Sequence, residues 1–235
     1  MLRLLLLVAA VFHVSCVFRY RFARSDLRHV IFALVASFRS VLPRLDAERA
    51  CYVDVGWLSS PFVGRCAATA AEISFGFIVT AAVKRAGGHD SFRLFTVLGS
   101  LTILAQLFCW KGVATRCQIW NALEETTWAV FALLTVVCML RRICLHAAAA
   151  TDYKVAAMVM TAYLVYLVVV DIPMYARRAM ASPDECRPFL EGVAEMLRCE
   201  HVTTDMSFWA EDFIWMVGYF LCGPCVTLWA AYRLQ

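Results

Sequence analysis

The sequence predicts an all-α fold, a polytopic bundle of six or seven transmembrane helices. Three observations predict it. Hydrophobic residues make up 62% of the 235, mean hydropathy is +0.69 and only 17% of residues are charged, whereas soluble domains are about 45–50% apolar. Apolar runs recur along the whole chain, several of them as long as the roughly 17–25 residues that cross a bilayer. Basic residues gather in alternate gaps between these runs, as they do where loops stay cytoplasmic. The net charge of +4 is spread over those gaps, so it reads as membrane orientation and not as a nucleic-acid footprint.

Seven apolar runs occupy residues 2–18, 29–42, 58–83, 92–110, 119–140, 155–171 and 207–232. The first, with Arg3 ahead of a leucine run, resembles a signal-peptide core or a signal anchor. The second is short for a span and suits a re-entrant or interfacial helix. The last five are long enough to cross. Residues 1–28 thus form an anchor-like segment and a basic loop. Residues 29–235 form one helical membrane domain with a long loop at 172–206.

Charge sets the expected orientation. Arg19, Arg21, Arg24 and Arg28 follow the first run, Lys84, Arg85 and Arg93 flank the gap after the third, and Arg141, Arg142 and Lys154 flank the gap after the fifth. All three gaps become cytoplasmic if the first run is a retained span with its N-terminus outside. The C-terminus, with Arg233, then ends in the cytoplasm. The acid-rich loop 172–206 falls on the extracytoplasmic or lumenal side of a plasma membrane or endomembrane.

Against this apolar background, six acids stand out: Glu72, Glu124, Glu125, Asp171, Glu211 and Asp212. A charge at mid-membrane costs about 2.5–3.5 kcal/mol on insertion scales. The expected orientation gathers these acids with Arg44, Arg49 and Arg65 toward the outer side. Arg65, Thr69, Glu72 and Gly76 share one helical stripe, as do Asn121, Glu124 and Trp128. Arg65 and Glu72 lie two turns apart, about 10 Å along the axis, so each is expected to pair with a different helix. The expected site is a pocket in which Arg44, Arg49 and Arg65 hold an anionic headgroup. Asp171, Glu211 and Asp212 line it, and Glu124, Glu125 and Glu72 serve as proton donors or acceptors. The ligand is a membrane lipid or another amphipathic small molecule, bound and in the catalytic version of this reading also modified. A proton- or cation-coupled transporter using Glu72 and Glu124, and a structural subunit with these charges as clamps, are the alternatives.

No other chemistry is well supported. The five histidines form no metal-binding pair, and no nucleotide-binding or nucleophile motif is present. No metal or nucleic-acid partner is therefore expected, and any cofactor and the oligomeric state stay open. Among the 11 cysteines, Cys186 and Cys199 share the 172–206 loop and are expected to form a disulfide there. Cys222-Gly-Pro-Cys225 has the C-x-x-C spacing of thiol oxidoreductases. Joined to a loop pair, it resembles the vitamin K epoxide reductase type. Small thiols beside a helix-kinking proline account for it more simply.

Several phrases together are more distinctive: Phe38-Arg39-Ser40, Pro43-Arg44 with Asp46 and Arg49, Asp54, Trp57-Leu58-Ser59-Ser60, and Gly64-Arg65 with Ala71-Glu72. To these add Asn121 with Glu124-Glu125 and Trp128, Asp171-x-Pro173-Met174-Tyr175, and Trp209 with Glu211-Asp212 and Trp215-Met216. Over residues 29–232 they resemble an uncharacterised family of multi-pass membrane proteins. That resemblance implies a fold and no activity.

Overall fold

A computed structural model describes residues 8, 11, 15, 27–87, 91–145, 150–181, 186–210, 212–219, 223 and 225–227. Most of the first apolar run, Arg19, Arg21 and Arg24, together with Glu211, Cys222 and Arg233, lie outside the described residues. The elements follow in order as α1 (Leu27–Val41), β1 (Arg44–Leu45), β2 (Ala50–Cys51), a 3-10 turn (Gly56–Ser59), α2 (Pro61–Gly87), α3 (Ser91–Thr115) and α4 (Gln118–Leu145). Then come α5 (Ala150–Tyr166), a π-helical turn (Leu167–Asp171), α6 (Ile172–Ala181), α7 (Phe189–Glu195), β3 (His201–Val202), α8 (Met206–Trp209) and α9 (Phe213–Val217). Four stretches are long and apolar enough to cross a membrane: Pro61–Lys84, Phe92–Thr115, Gln118–Leu145 and Thr151–Ala181. They are the third to sixth predicted runs. The second is α1, whose 15 residues fall short of the roughly 20 that a span takes.

The described residues are mostly helical, as expected, and two details differ from the sequence reading. β1, β2 and β3 form a small sheet, β1 antiparallel to β2 and β2 parallel to β3, with Ala50 opposite His201 and Cys51 opposite Val202. Strands of two residues leave no alternating pattern to detect. The sixth run was also expected to end at Asp171, ahead of Pro173. The helix instead continues to Ala181 through the π turn, where the Ile172 N–H donates to the Leu167 carbonyl. Proline has no N–H to give to the preceding turn. The wider π turn absorbs that lost bond without breaking the helix.

The chain divides into two compact units, where the sequence suggested one domain over 29–235. One takes the residues up to Phe75 and those from Pro188 on; the other runs Gly76–Arg187. In the second, α4 is the hub, packing on α3, α5, the π turn and α6. Gly76 of α2 lies against Thr102 of α3 with no room for a Cβ. Thr115 closes α3, and its carbonyl accepts from the Arg187 N–H at 2.7 Å.

Disulfides fasten both units, with different partners from those expected. Cys51 joins Cys199 in the first, across a Cα separation of 6.3 Å and 148 residues of sequence. Cys117 joins Cys186 in the second, at 4.7 Å and 69 residues. The expected Cys186–Cys199 bridge is therefore replaced by two others. β2 pairs with β3 and holds Cys51 near Cys199, and the Arg187–Thr115 bond holds Cys186 near Cys117.

Candidate functional site

In the first unit, α1 and α2 deliver ionic side chains to the β1–β2 hairpin. Arg39, in the last turn of α1, donates from Nη1 to Asp46 Oδ2 at 2.9 Å and to the Gly64 carbonyl at 3.1 Å. Its guanidinium also lies over the rings of Trp215 and Tyr219, at 5.5 and 5.8 Å. Arg44, 1% exposed, donates to the carbonyls of Leu42, Leu58 and Ser60 and stacks on Phe38 at 4.8 Å. Arg49 is fully buried and takes a left-handed backbone, φ 54°. It donates to the carbonyls of Asp46 and Gly192 at 2.7 and 3.1 Å. Burial lowers the Arg44 pKa to about 10; Asp46 opposes the shift and Arg39 adds to it. Arg44 thus remains a cation at neutral pH.

Arg65 and Glu72, expected to lie too far apart for contact, pair with each other, Nη2 to Oε2 at 2.6 Å, and Arg65 Nε donates to Thr69 Oγ1 at 3.3 Å. The expectation of separate partners counted only the rise between Cα atoms. Two long side chains on one stripe close that gap, helped by the tilt of Glu72 toward the helix N-terminus. Asp212 is buried at the start of α9. Glu211 and Cys222 lie outside the described residues.

Buried charge gathers in this unit. Among the described residues, Arg39, Arg44, Arg49, Arg65, Asp46 and Asp212 are buried, and Glu48, Glu72 and Glu195 are partly buried. Two guanidinium nitrogens, Arg39 Nε and Arg44 Nη2, have no acceptor, and neither does Asp46 Oδ1 a donor. Sequence reasoning missed Arg39 and Asp46 as a site pair. The available signal was an arginine closing an apolar helix seven residues ahead of an aspartate.

Gly64 makes this arrangement possible, because Arg44 and Asp46 lie directly over its Cα and a Cβ there would collide with both side chains. Gly64→Ala is expected to cost about 1–3 kcal/mol by overpacking. At Gly99 a Cβ would meet only Phe77, at an ordinary 3.8 Å, so Gly99→Ala should be close to neutral. Thermal unfolding of both variants in detergent checks the pair. Equal midpoints would contradict the close approach at Gly64.

The second unit holds the other predicted acids. Glu124 is buried on α4 beside Asn121, Thr127 and Trp128, while Glu125 is only partly buried. Neighbours in sequence are turned about 100° apart on a helix of 3.6 residues per turn, so the two carboxylates occupy different surroundings. Asn121 donates from Nδ2 to Gln118 Oε1 at 2.9 Å, and Gly112 lies against its carbonyl with no room for a Cβ. Asp171 is buried on the π turn and accepts from the Tyr166 hydroxyl. It was expected at the end of its helix, but ten residues of α6 follow it. The predicted constellation therefore falls into two groups. Arg44, Arg49, Arg65, Glu72 and Asp212 belong to the first unit, and Glu124, Glu125 and Asp171 to the second.

Two tryptophans of the distinctive motifs differ in placement: Trp57 is exposed, but Trp209 is fully buried. It packs with Leu45, Ala50 and Met216 and donates from Nε1 to the Thr203 carbonyl. Among the described residues no three His, Cys, Asp or Glu side chains gather to hold a metal.

Comparison of the chain with protein-family models, with curated proteins and with solved structures finds no match.

Proposed function

We propose that this is a multi-pass integral membrane protein whose arginine-rich core binds the anionic headgroup of a lipid or similar amphipathic molecule. The observation that carries the proposal lies in the ionic cluster of the first unit, where the buried Arg39 Nε and Arg44 Nη2 lack acceptors. A buried donor left unmet costs about 1–3 kcal/mol, and an oxyanion supplies such acceptors. The cluster lies on the extracytoplasmic side in this proposal, with the N-terminus outside and the C-terminus in the cytoplasm. Two features support that orientation. The basic residues flanking 85–92 and 143–153 sit at the opposite helix ends from Cys51, Cys117, Cys186 and Cys199. Disulfides persist in oxidising compartments and not in the cytosol.

A second reading, a purely structural ionic core, is favoured by Arg44 and Arg49, whose forks are largely spent on main-chain carbonyls. Thermal unfolding with added lipid separates the two. A ligand at 100 times its Kd stabilises by about 2.7 kcal/mol. Phosphatidic acid should therefore raise the midpoint well beyond phosphatidylcholine. Arg44→Lys, which keeps the charge and loses the fork, should shrink that difference. Equal shifts from both lipids would leave the structural core as the better reading.

A further inference from the structure

We propose that α7 lies flat in the headgroup region of the leaflet that α2 enters, with Leu190 and Leu197 seated among the acyl chains. This rests on the membrane-spanning reading of α2 and α3. Three stripes run along α7 and the turn after it. Gly192 and Met196 are buried against the protein. Glu191 and Arg198 are exposed and form a charged stripe, with the partly buried Glu195 between them. Leu190, Ala194 and Leu197 form an apolar stripe at helical spacing, and all three are exposed, Leu190 to 81%. A helix with a protein face, a water face and an unburied leucine face suits a boundary between water and hydrocarbon.

Depth is set by hydrogen bonds. The Phe62 N–H, in the first turn of the Pro61–Lys84 span, donates to the Met196 carbonyl at 2.9 Å. The first N–H groups of a helix have no partner within it, and hydrocarbon offers none. The end of α7 therefore sits at the level where the span begins. Arg49, donating to the Gly192 carbonyl, and the Cys51–Cys199 disulfide hold α7 there. Trp57, 70% exposed on the 3-10 turn just ahead of α2, marks the same level, since tryptophan concentrates at membrane interfaces. Glu191, Glu195 and Glu200 against Arg187 and Arg198 leave no basic patch, so apolar seating and not attraction to anionic lipid is the chemistry. Because α7 is tethered by the fold, its two leucines need only set its position.

Photo-crosslinking tests this. The full chain is placed in phosphatidylcholine vesicles with benzoylphenylalanine at Leu190, Leu197, Glu191 or Leu107, the last an exposed position on α3. Phospholipid adducts are expected at Leu190, Leu197 and Leu107 and not at Glu191. Adducts at Leu107 alone, with Leu190 and Leu197 unreacted or joined to protein, would overturn the proposal and leave the spans intact. If Leu107 also fails, the membrane-spanning reading falls, and the placement of α7 with it.

Discussion

Asp46→Ala is expected to destabilise the first unit by about 3–5 kcal/mol, the cost of leaving one partner of a buried ion pair alone. Arg39 and Asp46 are 3% and 6% exposed at their side chains, so water does not reach the stranded guanidinium freely. Two weaker interactions remain to Arg39, the Gly64 carbonyl and the faces of Trp215 and Tyr219, and neither carries a full negative charge. The Asp46 main-chain carbonyl still accepts from Arg49, so the loss is specific to the side chain. Denaturation in mild detergent, followed by tryptophan fluorescence, reads the effect through Trp215 beside Arg39 and the buried Trp209. A double variant, Arg39→Met with Asp46→Leu, should recover most of the loss. The remainder is about 1 kcal/mol for the abandoned Gly64 carbonyl. A loss under about 1 kcal/mol in the single variant, the range of exposed ion pairs, would show that water reaches the pair.

The second large effect belongs to the first-unit disulfide. Cys51→Ser with Cys199→Ser is expected to cost about 2–4 kcal/mol. Chain entropy alone, for a closed loop of 148 residues, gives about 5 kcal/mol. That figure overstates the case, because the four helices long and apolar enough to cross a membrane lie inside the loop and keep the unfolded chain short. The double variant is the clean one, since a lone Cys199 could pair instead with Cys186. Either single variant should lose about as much as the double, because each removes the same bond. Peptide mapping without reduction supplies the direct check. It should recover Cys51 with Cys199 and Cys117 with Cys186. A Cys186–Cys199 peptide from folded protein would refute this pairing.

The four long helices were legible in the sequence because a span must be apolar over its whole length, whatever it packs against. What surrounds the Arg39–Asp46 pair was not. The cap depends on two-residue strands drawn from positions 44 and 201, a pairing that no local pattern encodes. Cysteine spacing does not determine connectivity, so the nearest pair in the loop was an unsafe guess. Asp171 was misplaced because Asp-x-Pro is a common stop signal, and a π turn overrides it through one wide turn that periodicity does not reveal. Arg44 and Arg49 stood out as charges in an apolar chain, but where their guanidiniums point depends on the carbonyls of Leu58, Ser60 and Gly192, which lie 14, 16 and 143 residues away. Trp209 is core because β1 and α9 close over it, which no local pattern around it encodes.

The parallel pairing of β2 with β3 carries a consequence for biosynthesis. Ala50 meets His201 only after the four long helices between them have been translated. Until then the nascent chain carries Arg39, Arg44 and Asp46 without the segment that supplies the Gly192 carbonyl to Arg49, and Cys51 has no Cys199 to join. The first unit is therefore begun early and completed late. The quality-control machinery meets a precursor whose N-terminal third is unfinished throughout synthesis. A ribosome stalled before residue 199 should leave Cys51 open to alkylation, while release of the full chain should protect it.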